Sequence, residues 1–139
     1  MAIFNGRDYS VVYNAVDISN RVRTIRVSQN AEDLDGTAMG ALSRAHVPGL
    51  RDDRIELELF QDHAAGSVDA TFSAQIGVAA GVLTTIKPTS AAVSATNPKY
   101  EGTMVLLDYS PADVEVGNLS MVPITLVPAP GSQITRSTV

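Results

Sequence analysis

The chain has no cysteine and no tryptophan. Without cysteine there are no disulfides and no thiolate metal sites, so a packed core must hold the fold. With 5% aromatic residues and no tryptophan, an aromatic binding platform is poorly supplied. Positive charge is scarce. Lys87 and Lys99 are the only lysines, and ten basic residues face fifteen acids for a net charge of -5. Counterion-driven binding to nucleic acid needs clustered cations, and this balance argues against it. Arg21, Arg23 and Arg26 form a local basic group, read as solvated strand positions or subunit salt bridges. No apolar run approaches the roughly 18 residues of a membrane helix. The start, MAIFNGRDYS, lacks the charged and apolar regions of a signal peptide, so synthesis in the cytoplasm is expected.

What is present suits one domain. The 139 residues are 45% hydrophobic, and a chain of this size buries roughly 70% of its unfolded surface. Residues 1–127 are expected to form the domain and residues 128–139, rich in Pro, Gly, Ser and Thr, a flexible tail.

The pattern is mostly of period two. Tyr9–Tyr13, Val16–Ser19, Arg21–Ser28, Val82–Lys87, Tyr100–Tyr109 and Asn118–Val127 read as strands. Asn14-Ala15 is a turn signal. Arg54–Gln61 alternates most strictly: Ile55, Leu57 and Leu59 point one way, Glu56 and Glu58 the other. A slip of one residue would bury both glutamates, so the register is firmly set. Gly102 reads as a bulge or a close-approach point, and Pro123 as an edge or bulged position. One helix is expected over residues 67–78. Ser67 would cap it, Asp69 would favour the dipole, and Val68, Phe72 and Ile76 would pack as a stripe. The expected fold is mainly β: a sandwich or barrel with one flanking helix.

No catalytic motif stands out. There is no G-x-S-x-G elbow and no phosphate-binding loop. His63, Asp62 and Ser67 could be drawn as a hydrolytic set, but any chain rich in Ser and Asp permits that. Glu32, Asp33 and Asp35 before Gly36 resemble a calcium loop that lacks its later bidentate glutamate. Glu56 and Glu58 resemble a carboxylate pair and read equally as a solvated face. Neither a metal nor a cofactor is expected.

The distinctive segment is an arm over residues 29–53. A long structureless stretch inside a compact domain is usually functional or disordered. Leu34, Met39, Leu42, Val47 and Leu50 make it too apolar to remain solvated. His46-Val47-Pro48-Gly49-Leu50 supplies a stiff turn. Such an arm implies a subunit that reaches for its neighbours.

Several stretches, in order, resemble the major tail proteins that build the tail tube of long-tailed bacteriophages. They are Val16-Asp17-Ile18-Ser19 with Val22-Arg23, then Asp33-Leu34-Asp35 with Thr37-Ala38-Met39-Gly40. Pro48-Gly49-Leu50-Arg51-Asp52 and Ile55–Phe60 follow. Gly66-Ser67-Val68-Asp69-Ala70-Thr71 and Lys87-Pro88-Thr89 to Pro98-Lys99-Tyr100 complete the set. The resemblance implies a non-enzymatic virion subunit that forms stacked, hexameric rings around a DNA conduit. The arm, including Arg51 and Asp52, would contact the next ring, and Glu56 and Glu58 are candidates for an acidic lumen. The implied partners are further copies of the chain, other tail proteins such as tape measure, terminator and distal tail components, and double-stranded DNA passing without specific binding. A monomeric β-sandwich binding module, a small hydrolase and another tail component such as a terminator are the alternatives.

Overall fold

A computed structural model describes residues 3–139; Met1 and Ala2, at the start of the expected domain, lie outside the described residues. After a 3₁₀ turn at Gly6–Asp8, the strands are β1 (Ser10–Tyr13), β2 (Val16–Asp17), β3 (Val22–Ser28), β4 (Ala31–Asp35) and β5 (His46–Arg51). Then come β6 (Arg54–Phe60), the helix α1 (Val68–Phe72), β7 (Val82–Lys87), β8 (Lys99–Tyr109), β9 (Met121–Pro128) and β10 (Thr135–Ser137). No described helix is long and apolar enough to cross a membrane.

Eight strands form one antiparallel sheet in the order β2-β1-β7-β8-β9-β6-β3, with β10 added on β8. Alternation dictates the inner face. Ile55, Leu57 and Leu59 of β6 are buried with Val122, Ile124 and Leu126 of β9, Met104 and Leu106 of β8, Ile86 of β7, and Val11 and Tyr13 of β1. The sheet curls around this single core. Val22, Ile25 and Val27 of the last strand, β3, share a groove of about 830 Å³ with Ile86 and Tyr100 from β7 and β8. The groove marks where the curled sheet stays open.

The helix is shorter than its sequence pattern implies. It stops at Phe72 after five residues. Val68, Thr71 and Phe72 are buried, and the Phe72 ring lies 4.5 Å from that of Tyr13. Ile76, expected on the same stripe, falls beyond the helix and is 45% exposed. A helix this short is held by packing rather than by its own hydrogen bonds, and once the chain turns against Leu106 of β8 the four-residue spacing no longer points inward.

Two further expectations are corrected. Strand β9 is not an edge: it lies between β6 and β8. Pro123 opposes Glu58 of β6, just beyond the last β8–β9 pair, Tyr109 with Ile124. The proline therefore sits where only one neighbouring strand is left to pair. The tail of residues 128–139 is docked, not loose. It carries β10, which pairs with Lys99–Glu101 of β8, and it buries Ile134. Gly102 permits this docking, because a Cβ there would lie 2.9 Å from the Gln133 carbonyl oxygen.

Candidate assembly interface

The arm is not structureless. Strands β4 and β5 pair only with each other, as a free-standing two-stranded hairpin. Asp33, Asp35, Arg44 and His46 build it. His46 Nδ1 lies 2.9 Å from Asp33 Oδ1, Arg44 Nη1 lies 3.3 Å from Asp35 Oδ2, and Asp35 accepts from the Thr37 N–H. Two of the three acids that resembled a calcium loop, Asp33 and Asp35, are therefore partnered within the hairpin. The tip turns at Gly40, whose φ of +84° suits only glycine comfortably. Met39 and Leu42 stand fully exposed beside it, with Leu34, Val47 and Leu50 exposed further down.

The hairpin is fixed at its root. Asp53 is buried and holds Arg51 through two contacts, of 3.2 and 2.7 Å. The same carboxylate accepts the Ile134 N–H at 2.9 Å. Arg51 Nη2 and Gln29 Nε2 both donate to the Ile134 carbonyl, at 3.1 and 3.0 Å. Arg51, expected as an inter-subunit contact, is thus committed within the chain to joining the hairpin to the C-terminal segment. Asp52 remains exposed and bonds to Asn30 only through its backbone N–H. Nothing in the sequence near Asp53 announces its role, because its partner lies 81 residues away.

The opposite end of the sheet carries α1 and the loop between β8 and β9. Tyr109 donates to Asp69 at 2.7 Å, and Gln61 donates to the Tyr109 hydroxyl and the Pro111 carbonyl. Beyond this anchor Val114, Val116 and Leu119 are exposed. The sequence signal for this surface is Val114 and Val116 beside Asp113 and Glu115, between the strands expected over Tyr100–Tyr109 and Asn118–Val127.

The residues that could be drawn as a hydrolytic set do not assemble as one. Asp62 accepts from the Ala64 N–H and from Arg21 Nε at 2.9 and 2.8 Å, while His63 faces Asp69 at 3.4 Å. The Ala64 N–H, the Ser67 hydroxyl and Arg21 together pull the Asp62 pKa down to about 2. Burial pushes Tyr13 up to about 12. Glu56 and Glu58 lie on the sheet's outer face, where Arg26 reaches within 3.9 Å of Glu56 and Thr24 donates to Glu58. That face is mixed in charge rather than uniformly acidic. Of the basic group, Arg21 and Arg26 have acidic partners, and Arg23 lines the groove beside β3 with Arg7.

A curled antiparallel sheet with a helix at one end and a detached hairpin at the other defines a tail-tube-like fold. No family model and no curated protein matches the sequence. Solved structures do match. The chain aligns with one from the tail of an empty gene transfer agent particle (TM-score 0.64, 16% identity), over 96% of this chain and 99% of that one. It aligns with one from the sheath-tube complex of an extracellular contractile injection system (TM-score 0.69, 9% identity), over 99% and 93%. It also aligns with one from the tube terminating cap of the anti-feeding prophage (TM-score 0.72, 10% identity), over 100% and 93%. At such identities the likeness is one of fold.

Proposed function

We propose that this chain is a non-enzymatic virion subunit that polymerises as stacked hexameric rings into a tail tube, the conduit for DNA. The observation that carries the reading is a fold left incomplete in two places. The hairpin projects apolar side chains that no surface among the described residues covers. Strand β3 ends the sheet with one edge unpaired, and such an edge invites another strand. Two copies joined edge to edge through different surfaces make a heterologous contact, which closes into a ring when the rotation fits. One matching tail was solved with C6 symmetry, which supports six subunits.

In this reading the outer face bearing Glu56 and Glu58 lines the bore. Arg26 beside Glu56 makes that wall mixed in charge rather than a continuous basic track, so DNA phosphate would slide rather than stick. Tape measure, terminator and distal tail proteins would be the other partners, and the location is the virion tail. A terminator is the second reading, favoured by likeness to a tube/sheath terminator chain at a TM-score of 0.71. Negative-stain microscopy of the purified chain decides: extended tubes are expected, single capping rings would indicate the terminator, and monomers at high concentration would overturn both.

A further inference from the structure

Three large hydrophobic side chains are fully exposed among the described residues: Met39, Leu42 and Val116. Two crown the hairpin and one crowns the β8–β9 loop. Strand pairing places these features at opposite ends of the molecule. Ile55, next to the hairpin root, pairs with Leu126; Phe60, at the other end of β6, pairs with Met121, where the β8–β9 loop returns. The hairpin thus leaves one end of β6 and β9, and the loop leaves the other.

The two ends also match in chemistry. Residues 36–45 at the hairpin tip carry Arg44, which also reaches Asp35 at the base of the tip at 3.3 Å, and no acid; residues 110–120 carry Asp113 and Glu115 and no base. Both also expose apolar side chains, Met39 and Leu42 on the tip and Val114, Val116 and Leu119 on the loop. Both are anchored at the root, the hairpin through Asp53 and Ile134, the loop through Gln61 and Pro111. A rigid apolar knob with a cation at one end and an apolar acidic loop at the other are complementary surfaces of identical molecules.

We propose that the hairpin tip of one copy docks on the loop of residues 110–120 of the next copy, joining Met39 and Leu42 to Val114, Val116 and Leu119. The inference rests on the reading of the chain as a stacking subunit and deepens it by naming the receiving surface. The contact is heterologous, so every copy offers one free hairpin and one free loop, and stacking propagates. Burial of these side chains supplies the attraction, and the guanidinium N–H groups of Arg44 not used on Asp35 face Asp113 and Glu115 and set the direction.

The absence of cysteine makes a clean test available. Met39→Cys and Val116→Cys are introduced singly and together into the full chain, and each protein is treated with a bis-maleimide cross-linker. The double variant is expected to give a ladder of covalent multimers, an equimolar mixture of the two singles a dimer, and each single alone no multimer. Val116→Asp, in a loop outside the core, is expected to reduce the assembled fraction at least tenfold while leaving the far-UV spectrum unchanged. Tubes under the microscope with no ladder from the double variant would overturn the docking partner and leave the tube function standing. Dimers of the Met39→Cys protein alone would overturn it in favour of hairpin-to-hairpin contact. Monomers throughout would overturn the stacking function and the docking together.

Discussion

Ala15 is the residue least suited to its place. It holds φ 61° beside Asn14 at φ 50°, in the two-residue turn that joins β1 to β2. Such turns require positive φ at both central positions, and only the second residue here is a poor fit. The left-handed region costs an L-residue roughly 1–2 kcal/mol. Ala15→Gly is therefore expected to stabilise the protein by about 1 kcal/mol net of the added chain entropy, read as a higher urea midpoint at unchanged slope. Asp62 makes a different kind of statement. Its carboxylate is held at a pKa of about 2, first by the Ala64 N–H, then by the Ser67 hydroxyl and Arg21. Asp17, Asp35 and Asp69 are lowered too, mainly by hydrogen bonds from Ser19, Thr37 and Tyr109. A depressed carboxylate contributes stability above its unfolded pKa, near about 3.9, and loses that contribution as pH falls through the folded value. The melting temperature is expected to hold from neutral pH down to about 5 and to fall between about 4 and 2. Asp62→Asn should melt lower at neutral pH and fall less steeply in acid. An acid limb of wild-type steepness in that variant would place the dependence elsewhere. At this scale much of the core was legible. Strict alternation separates Ile55, Leu57 and Leu59 from Glu56 and Glu58, since period two admits no other division between a wet and a dry face. Ile76 was not legible, because four-residue spacing says nothing about where a helix stops.

At the scale of elements, the two segments that looked least structured are clamped to each other. The arm is a hairpin with its own cross-strand pairs, and the tail provides the buried amide that Asp53 accepts. Removing the Asp53 side chain leaves the Ile134 N–H and the inward part of Arg51 without their partner. Asp53→Ala is expected to cost about 2 kcal/mol, chiefly because the buried Ile134 N–H is left without an acceptor. Hydrogen exchange locates the loss: Ile134 and the β8–β10 pairs should exchange faster, while the β6–β9 ladder keeps its protection in proportion to global stability. Uniform loss across the sheet would mean that Asp53 supports the whole core rather than this junction. The carboxylate was invisible in the sequence, where Asp52 and Asp53 stand side by side at the end of the expected arm. Which of them turns inward depends on a backbone 81 residues away.

The whole molecule is polar in the geometric sense: a knob at one end, a helix and an acidic apolar loop at the other. The hairpin can be removed without cutting the sheet. Ala31 and Arg51 face each other across its base, so a Gly-Gly link in place of Asp33–Leu50 spans the gap. The shortened chain is expected to keep its melting transition and its sheet spectrum but to form no tubes. Tubes of normal length from that variant would remove the hairpin from the assembly mechanism.

The amino-acid order alone determined the local facts: a mainly β chain without disulfides, the inner and outer faces of Arg54–Gln61, an arm too apolar for solvent, and the want of any catalytic motif. These follow from periodicity and composition, which act over a few residues. The tertiary structure decided the rest: that β9 is interior, that the tail docks on β8, that β3 is left open, and that Met39 and Val116 stand at opposite ends. Those outcomes depend on which distant strands meet, and alternation fixes only which way a side chain faces, never which strand lies beside it.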